Sequence, residues 1–161
     1  MFLNSSLRLV LVVLLTVFLS VTQKASADSK ISCEIILDFD AGLNGILKSC
    51  DVSSSVKINS TKARFSDVSN QAVSRLHLSN NKNIFFLPEN IDEKFPNLLQ
   101  YEAKYCEILI ITKTNLKNLG KLRKLNLWGN KIEKIPNDVF QDLVGLEVLS
   151  LGKLKNLRKK S

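Results

Sequence analysis

The sequence is poor in the residues that build catalytic and metal centres. Its 161 residues include one histidine, His77, and three cysteines, and neither a serine nucleophile elbow nor a paired carboxylate motif accompanies the histidine. A histidine without a partner is usually a polar surface residue, and one histidine beside a disulfide leaves no zinc ligand set. The composition therefore argues against a cofactor or metal site and against an enzyme, with a hydrolase dependent on His77 as the remaining catalytic alternative.

Long hydrophobic runs are also scarce. The one such run, residues 9–21, follows Arg8 and precedes the small-residue pattern Ala25-Ser26-Ala27. This arrangement is typical of a secretory signal peptide, and the run is short for a membrane span. The sequence predicts a signal peptide over residues 1–27, with an uncleaved signal anchor as the alternative. Because no second run follows, the remaining chain is expected to be secreted, extracellular and without a membrane span.

What the sequence does contain is a repeat of 24 or 25 residues. The motif LxxLxLxxNxI starts at Leu122, returns 24 residues later at Leu146, and is matched upstream from Leu98 and from Val73. A period of this length with this spacing gives one strand and one return segment per repeat. The sequence predicts an α/β-type leucine-rich repeat solenoid: a short curved parallel sheet of about four repeats, with a mostly irregular or short helical convex side.

A polar residue at the strand end is expected to satisfy the backbone of neighbouring repeats. Asn81 and Asn130 occupy this position, and Cys106 replaces asparagine in the repeat between them. An asparagine side chain can bond backbone groups on both sides, and a buried thiol is a tolerated small substitute. We expect these three residues to form a structural ladder.

The other two cysteines are expected to pair in the oxidising conditions of the secretory route. Cys33 and Cys50 bracket a segment that looks like a strand, a glycine-containing turn and a returning strand. A disulfide there would close an N-terminal cap and contribute about 3 kcal/mol. Cys106 is then the unpaired cysteine, interpreted as a buried ladder thiol, with an intermolecular disulfide or a reactive nucleophile as alternatives.

With these features the chain resembles extracellular leucine-rich repeat proteins that have a cysteine-containing N-terminal flank. The segments Leu87-Pro88-Glu89-Asn90-Ile91 and Phe95-Pro96-Asn97-Leu98 are most similar to secreted repeat proteins of insects, some of which act in innate immunity. The chain departs from that pattern by having about four repeats and no cysteine-rich C-terminal flank. The predicted organisation is a signal peptide at 1–27, a cap at 28–72, repeats at 73–157 and a basic tail at 158–161.

The C-terminal end of the repeats has no polar capping repeat. Leu154 occupies the position that Asn130 holds one repeat earlier, and the basic tail follows Leu157. An uncovered repeat edge is expected to associate with other chains. Two interpretations remain: the edge docks onto another repeat protein or a second copy, or the chain is a shortened product.

The positive charge is concentrated in the last third of the chain. Residues 113–161 carry 12 basic and 4 acidic side chains, against 9 and 11 in residues 28–112. The basic residues there could attract an anionic glycan or an acidic protein, or they could form a solvated face that binds nothing; they include Lys113, Lys117, Lys121, Arg123, Lys124, Lys131 and Lys134. The secretory route disfavours nucleic acid as a partner.

Binding in this fold is expected on the concave sheet, at strand positions that alternate with the buried leucines. The register gives these positions as Arg75, His77, Ser79, Gln100, Glu102, Lys104, Lys124, Asn126, Trp128, Val148, Ser150 and Gly152. Trp128 has the area and polar tip of an interface anchor, although it could instead pack under a loop or stack on Lys104. His77 and Glu102 are expected to be neighbours across strands.

These observations predict a secreted, non-enzymatic recognition module for extracellular proteins or glycans. The alternative is an assembly protein that docks through its C-terminal repeat edge. Asn59 begins the one glycosylation sequon of the mature chain, in the polar segment between the cap and the first repeat, where a glycan is expected to be tolerated.

Overall fold

The structure is a computed structural model that describes residues 30–43, 45–65 and 72–152. The predicted signal peptide, the basic tail, and Leu154 with Leu157 lie outside these residues. The described residues form eight strands and two one-turn helices: β1 Lys30–Ile31, β2 Glu34–Asp40, β3 Gly45–Asp51, β4 Arg64–Phe65, β5 Arg75–His77, α1 Ile91–Lys94, β6 Gln100–Glu102, α2 Lys113–Leu116, β7 Lys124–Asn126 and β8 Val148–Ser150.

The main sheet has six strands in the order β2-β3-β5-β6-β7-β8. Strands β3, β5, β6, β7 and β8 are parallel, and β4 pairs with β1 in a separate two-stranded sheet. Each repeat strand pairs with the residues 24 or 25 positions away, as Leu125 does with Tyr101 and Leu149. The antiparallel hairpin β2–β3 forms the N-terminal end of the sheet. The predicted solenoid of about four repeats is therefore confirmed, with a mostly irregular convex side and helices of one turn each.

The core is one continuous column of apolar side chains inside the solenoid. Cys50, Leu76, Tyr101 and Leu125 occupy the same position in successive strands, and each is fully buried. The Phe65 and Phe95 rings meet edge to face, 5.0 Å apart, on the return side. Burial of this column supplies the main stabilisation, because each repeat covers the apolar face of the next.

The disulfide between Cys33 and Cys50 is present, as the sequence predicted. It joins the residue before β2 to the penultimate residue of β3. Cys106 is free and buried, and burial raises the pKa of its thiol. A thiol held protonated in this way is a weak nucleophile.

Two hydrogen-bonded ladders connect successive repeats. At the strand ends, Asn130 Nδ2 donates to the carbonyl oxygens of Ala103 and Leu127 at 2.6 and 2.7 Å. Asn81 Nδ2 donates to Val56 O at 2.8 Å, and the Cys106 thiol donates to Leu78 O at 3.2 Å.

The second ladder lies on the return side, and the sequence analysis missed it. Asn115 Nδ2 donates to Leu87 O at 3.0 Å. Asn90, which is 25 residues earlier in the sequence, exchanges hydrogen bonds with the backbone of Phe65. The spacing of these two asparagines was the available signal, because it repeats the period of the strand-end ladder.

Ion pairs between equivalent positions also link the repeats. Glu107 lies between Lys82, 3.4 Å away, and Lys131, and these lysines, Lys131 first, hold the pKa of its carboxyl below its ordinary value. Arg123 Nε lies 2.7 Å from Glu147 Oε1, again one repeat apart. Such surface pairs align neighbouring repeats more than they stabilise them.

Candidate functional site

The concave face of the sheet is partly covered by the N-terminal hairpin. Asp38 of β2 pairs with Arg75 of β5, and Asp40 Oδ1 lies 2.8 Å from Nζ of Lys124 on β7. The tip of the hairpin therefore reaches over strands β5, β6 and β7, which belong to three successive repeats. The Lys124 ammonium lowers the pKa of Asp40, as expected for a carboxylate that accepts a hydrogen bond from a cation.

Beneath the hairpin, two of the predicted contact residues are buried. Gln100 is 5% exposed and Glu102 is 7% exposed, so the expectation that both face solvent is wrong. Glu102 pairs with Arg75 at 3.5 Å and with Lys104 at 3.4 Å, and Gln100 Nε2 donates to Glu102. These side chains form a local polar network that supports the hairpin, because paired charges tolerate burial better than isolated ones.

His77 is also engaged, although its partner differs from the expected neighbour. His77 and Glu102 are register partners in adjacent strands, but the His77 Nδ1 atom lies 3.1 Å from Asp51 Oδ2 on the other side. Glu102 instead forms ion pairs with Arg75 and Lys104 of the polar network. Within the described residues, no cluster of three or more histidine, cysteine or carboxylate side chains could hold a metal ion.

The open part of the concave face lies at the carboxyl ends of the strands. Ser79, Lys104 and Asn126 are partly exposed there, and Trp128 is 47% exposed. On β8, Val148 is exposed and Ser150 and Gly152 are partly so. Tyr105, which the sequence analysis did not include, is also 47% exposed and lies beside Trp128, since its backbone N–H donates to Trp128 O at 2.8 Å. We call Tyr105 and Trp128 the aromatic rim.

Each ring of the aromatic rim lies against a glycine of the next repeat. A Cβ atom at Gly129 would lie 2.5 Å from Tyr105 Cδ1, and one at Gly152 would lie 3.6 Å from Trp128 Cδ2. Both glycines have positive φ, 74° and 77°. A side chain at Gly129 would displace the Tyr105 ring, so this glycine allows the aromatic residue to rest on the neighbouring turn.

Tyr105 itself has an unfavourable backbone conformation. Its φ is 55°, in the left-handed region, and the equivalent residues of the flanking repeats, Asn80 and Gly129, have φ values of 61° and 74°. The turns after β5, β6 and β7 thus have positive φ at this position, which glycine and asparagine adopt readily and tyrosine does not. A strained aromatic residue where asparagine would fit points to a use for the ring other than stability.

Within residues 113–152, most of the basic side chains contact acceptor groups of neighbouring repeats. Lys113, Lys117, Lys121, Arg123, Lys124 and Lys131 all contact carboxylates or amide oxygens of nearby repeats or of the hairpin. Lys134 lines a shallow cavity with Leu109, Ile110 and Glu133. Carboxylates offset the charge of Lys117, Arg123, Lys124 and Lys131, which weakens their attraction for polyanions. Lys113 and Lys121 contact neutral amide oxygens and keep their charge.

No helix among residues 30–43, 45–65 and 72–152 is long and apolar enough to cross a membrane. The sequon residue Asn59 is exposed, next to the buried Ile58.

A search of curated proteins finds no significant match to the chain. Residues 120–155 match the family model described as leucine rich repeat, and that match covers the repeats containing β7 and β8. Together with the parallel solenoid, this match supports a leucine-rich repeat protein.

Proposed function

We propose that this chain is a secreted, non-catalytic module that binds an extracellular protein through the aromatic rim and the open part of the concave face. The proposal rests on the observation that the Tyr105 ring is exposed while its backbone adopts the unfavourable left-handed conformation. Large, rigid aromatic residues are the usual energetic centres of protein interfaces. The Cys33–Cys50 disulfide supports the extracellular location, because such bonds persist in oxidising compartments.

The proposed contact surface is narrower than the concave face as a whole. The hairpin and its ion pairs occupy Arg75 and Lys124, and Gln100 and Glu102 are buried beneath it. Ser79, Lys104 and Asn126 remain accessible next to the aromatic rim and supply polar contacts around it. A protein ligand fits this surface better than an anionic glycan, because most nearby cations are already paired. By analogy with the secreted insect proteins that the sequence resembles, we further propose a role in innate immunity, and we propose Asn59 as a glycosylation site.

Comparative affinity capture tests the proposal. The wild-type chain and the variants Trp128→Ala and Tyr105→Asn would be immobilised, exposed to extracellular fluid, and their bound proteins quantified by mass spectrometry. We expect a partner whose recovery falls at least about tenfold with either variant, as for a hot-spot residue. Tyr105→Asn should keep or raise the free energy of unfolding, because Asn80 adopts the same backbone conformation.

The matched control is Val144→Asn. Val144 is an exposed apolar residue on a return segment, away from the rim. This variant should retain the partner at the wild-type level. Equal recovery by all four proteins would contradict the proposed surface, and loss of folding in Tyr105→Asn would contradict the interpretation of its backbone.

A second candidate function is assembly through the C-terminal edge of the sheet. Val148 and Leu149 of β8 are exposed, although Leu149 continues the buried apolar column. This favours docking of β8 onto a repeat of another chain. Charged replacements of Leu149 and Leu151 would abolish such a complex while leaving capture through the aromatic rim intact, so the two functions are distinguishable.

A further inference from the structure

Strand β2 is the outermost strand at the N-terminal end of the main sheet. Ser74 N donates to Lys48 O, so Ile46, Lys48 and Cys50 of β3 direct their backbone groups toward β5. Their partners across the hairpin are Phe39, Leu37 and Ile35 of β2, which therefore direct theirs outward. No strand among residues 30–43, 45–65 and 72–152 pairs with this edge.

The side chains of the same three residues form an exposed apolar row. Leu37 is 74% exposed, Phe39 65% and Ile35 37%. Edge strands are normally protected by lysine, proline, a bulge or an inward-pointing charge that opposes pairing. Strand β2 has neither lysine nor proline, and Asp38 and Asp40 contact Arg75 and Lys124 across the concave face. A seven-residue edge strand with exposed apolar side chains is a template for another strand.

The edge is complementary to itself. In an antiparallel pair of β2 strands centred on Leu37, Leu37 faces its own copy, and Ile35 of each chain faces Phe39 of the other. At all three positions the backbone groups point outward, so these residues can form the hydrogen bonds between the two strands. Their apolar side chains then lie on the same face of the paired strands. The Phe39 N–H, which donates to Asp38 Oδ1 at 2.9 Å, would exchange that bond for one to the second chain.

Charge does not oppose this pairing. Asp38 would face Ile36 of the other chain and is already paired with Arg75. Glu34 would face Asp40, whose carboxylate is 2.8 Å from the Lys124 ammonium. The like charges at the ends of the paired strands are therefore offset by cations that each chain brings with it.

We propose that two copies of this chain form a two-fold dimer by antiparallel pairing of their β2 strands, centred on Leu37. Such an interface is isologous and closed, so assembly stops at two copies. The two-fold axis is perpendicular to the joined sheet, so both concave faces open on the same side. A dimer would then present two aromatic rims to one partner surface, which raises avidity without any new contact.

Sedimentation velocity over a concentration series, with the Cys33–Cys50 disulfide oxidised, tests the dimer. The wild-type chain should shift from monomer to dimer as concentration rises. Leu37→Lys should raise the dimer dissociation constant by at least about tenfold, because it places two like charges at the two-fold axis. Retained circular dichroism and an intact disulfide would establish that this variant is folded.

The matched control is Ile46→Lys. Ile46 is 73% exposed and lies on the same face of the hairpin as Leu37, but it belongs to the inner strand β3. Edge pairing predicts little change in its dimer dissociation constant. A wild-type chain that stays monomeric at every concentration would overturn the proposal, as would equal weakening by both lysine variants, which would indicate packing through the apolar face.

Discussion

The two ends of the main sheet differ in how far neighbouring elements cover the apolar column. At the N-terminal end, Cys50 is fully buried, held by the disulfide and by the antiparallel strand β2. At the other end, Leu149 occupies the same position of the apolar column and is 41% exposed. The comparison shows that an identical position in the repeat contributes burial only when a further element covers it.

The ends also differ in the sequence distance that their contacts span. Strand β8 contacts β7, and the ion pair Arg123–Glu147 spans 24 residues. The hairpin skips repeats, since the contact between Asp40 and Lys124 spans 84 residues. The cap therefore links strand β2 directly to the third repeat. Contacts between adjacent repeats link only neighbouring strands.

Replacing Leu125 by alanine should have the largest effect on stability. Leu125 is fully buried between Tyr101 and Leu149, so the change should lower the free energy of unfolding by about 2–5 kcal/mol. Leu149→Ala, at the equivalent position, should cost under about 2 kcal/mol because its side chain is already partly solvated. Urea unfolding followed by circular dichroism measures both. Equal losses would contradict the comparison and indicate that β8 has a covering neighbour in solution.

Removal of the disulfide should have the next largest effect. Replacing both Cys33 and Cys50 by alanine opens a cross-link between residues 17 positions apart, which should cost about 3 kcal/mol. Hydrogen exchange should accelerate in β2 and β3 more than in β7 and β8. Cys106→Ala is the matched control and should cost about 1 kcal/mol, because it removes one weak hydrogen bond to Leu78 O. An equal loss in the control would indicate that removal of buried sulfur atoms, rather than of the cross-link, accounts for the effect.

The sequence predicted what the repeat period controls. The strands, the apolar column and the disulfide-closed hairpin were expected, because each depends on spacing within a repeat or on a nearby pair of cysteines. The period says nothing about contacts that skip repeats, so the hairpin across Lys124 and the burial of Gln100 and Glu102 were not expected. Tyr105 was missed because it lies one residue beyond the alternating strand positions, in the turn.

The smallest predicted effect concerns the contact between Asp40 and Lys124. Lys124→Met should lower the free energy of unfolding by about 0.5–1 kcal/mol at neutral pH, the range of partly exposed ion pairs. Because Lys124 lowers the pKa of Asp40 in the folded chain, this contribution is present above the ordinary value of 3.8 and is lost as the pH falls through the lowered pKa. Urea unfolding of both proteins, at pH 7 and in strong acid, measures the difference.

Lys121→Met separates this contact from a general effect of removing a lysine. The Lys121 ammonium donates to Asn97 Oδ1 at 2.6 Å, and an amide does not titrate, so any stability difference there should be the same at both pH values. If the carboxylates of the hairpin hold it over the concave face, the free energy of unfolding of Lys124→Met should equal that of the wild-type chain in acid. The difference for Lys121→Met should remain. A difference for Lys124→Met that persists in acid would mean that the lysine ammonium acts through a contact other than its ion pair with Asp40, because methionine retains a similar alkyl chain. The hairpin would then cover the concave face without help from its charges.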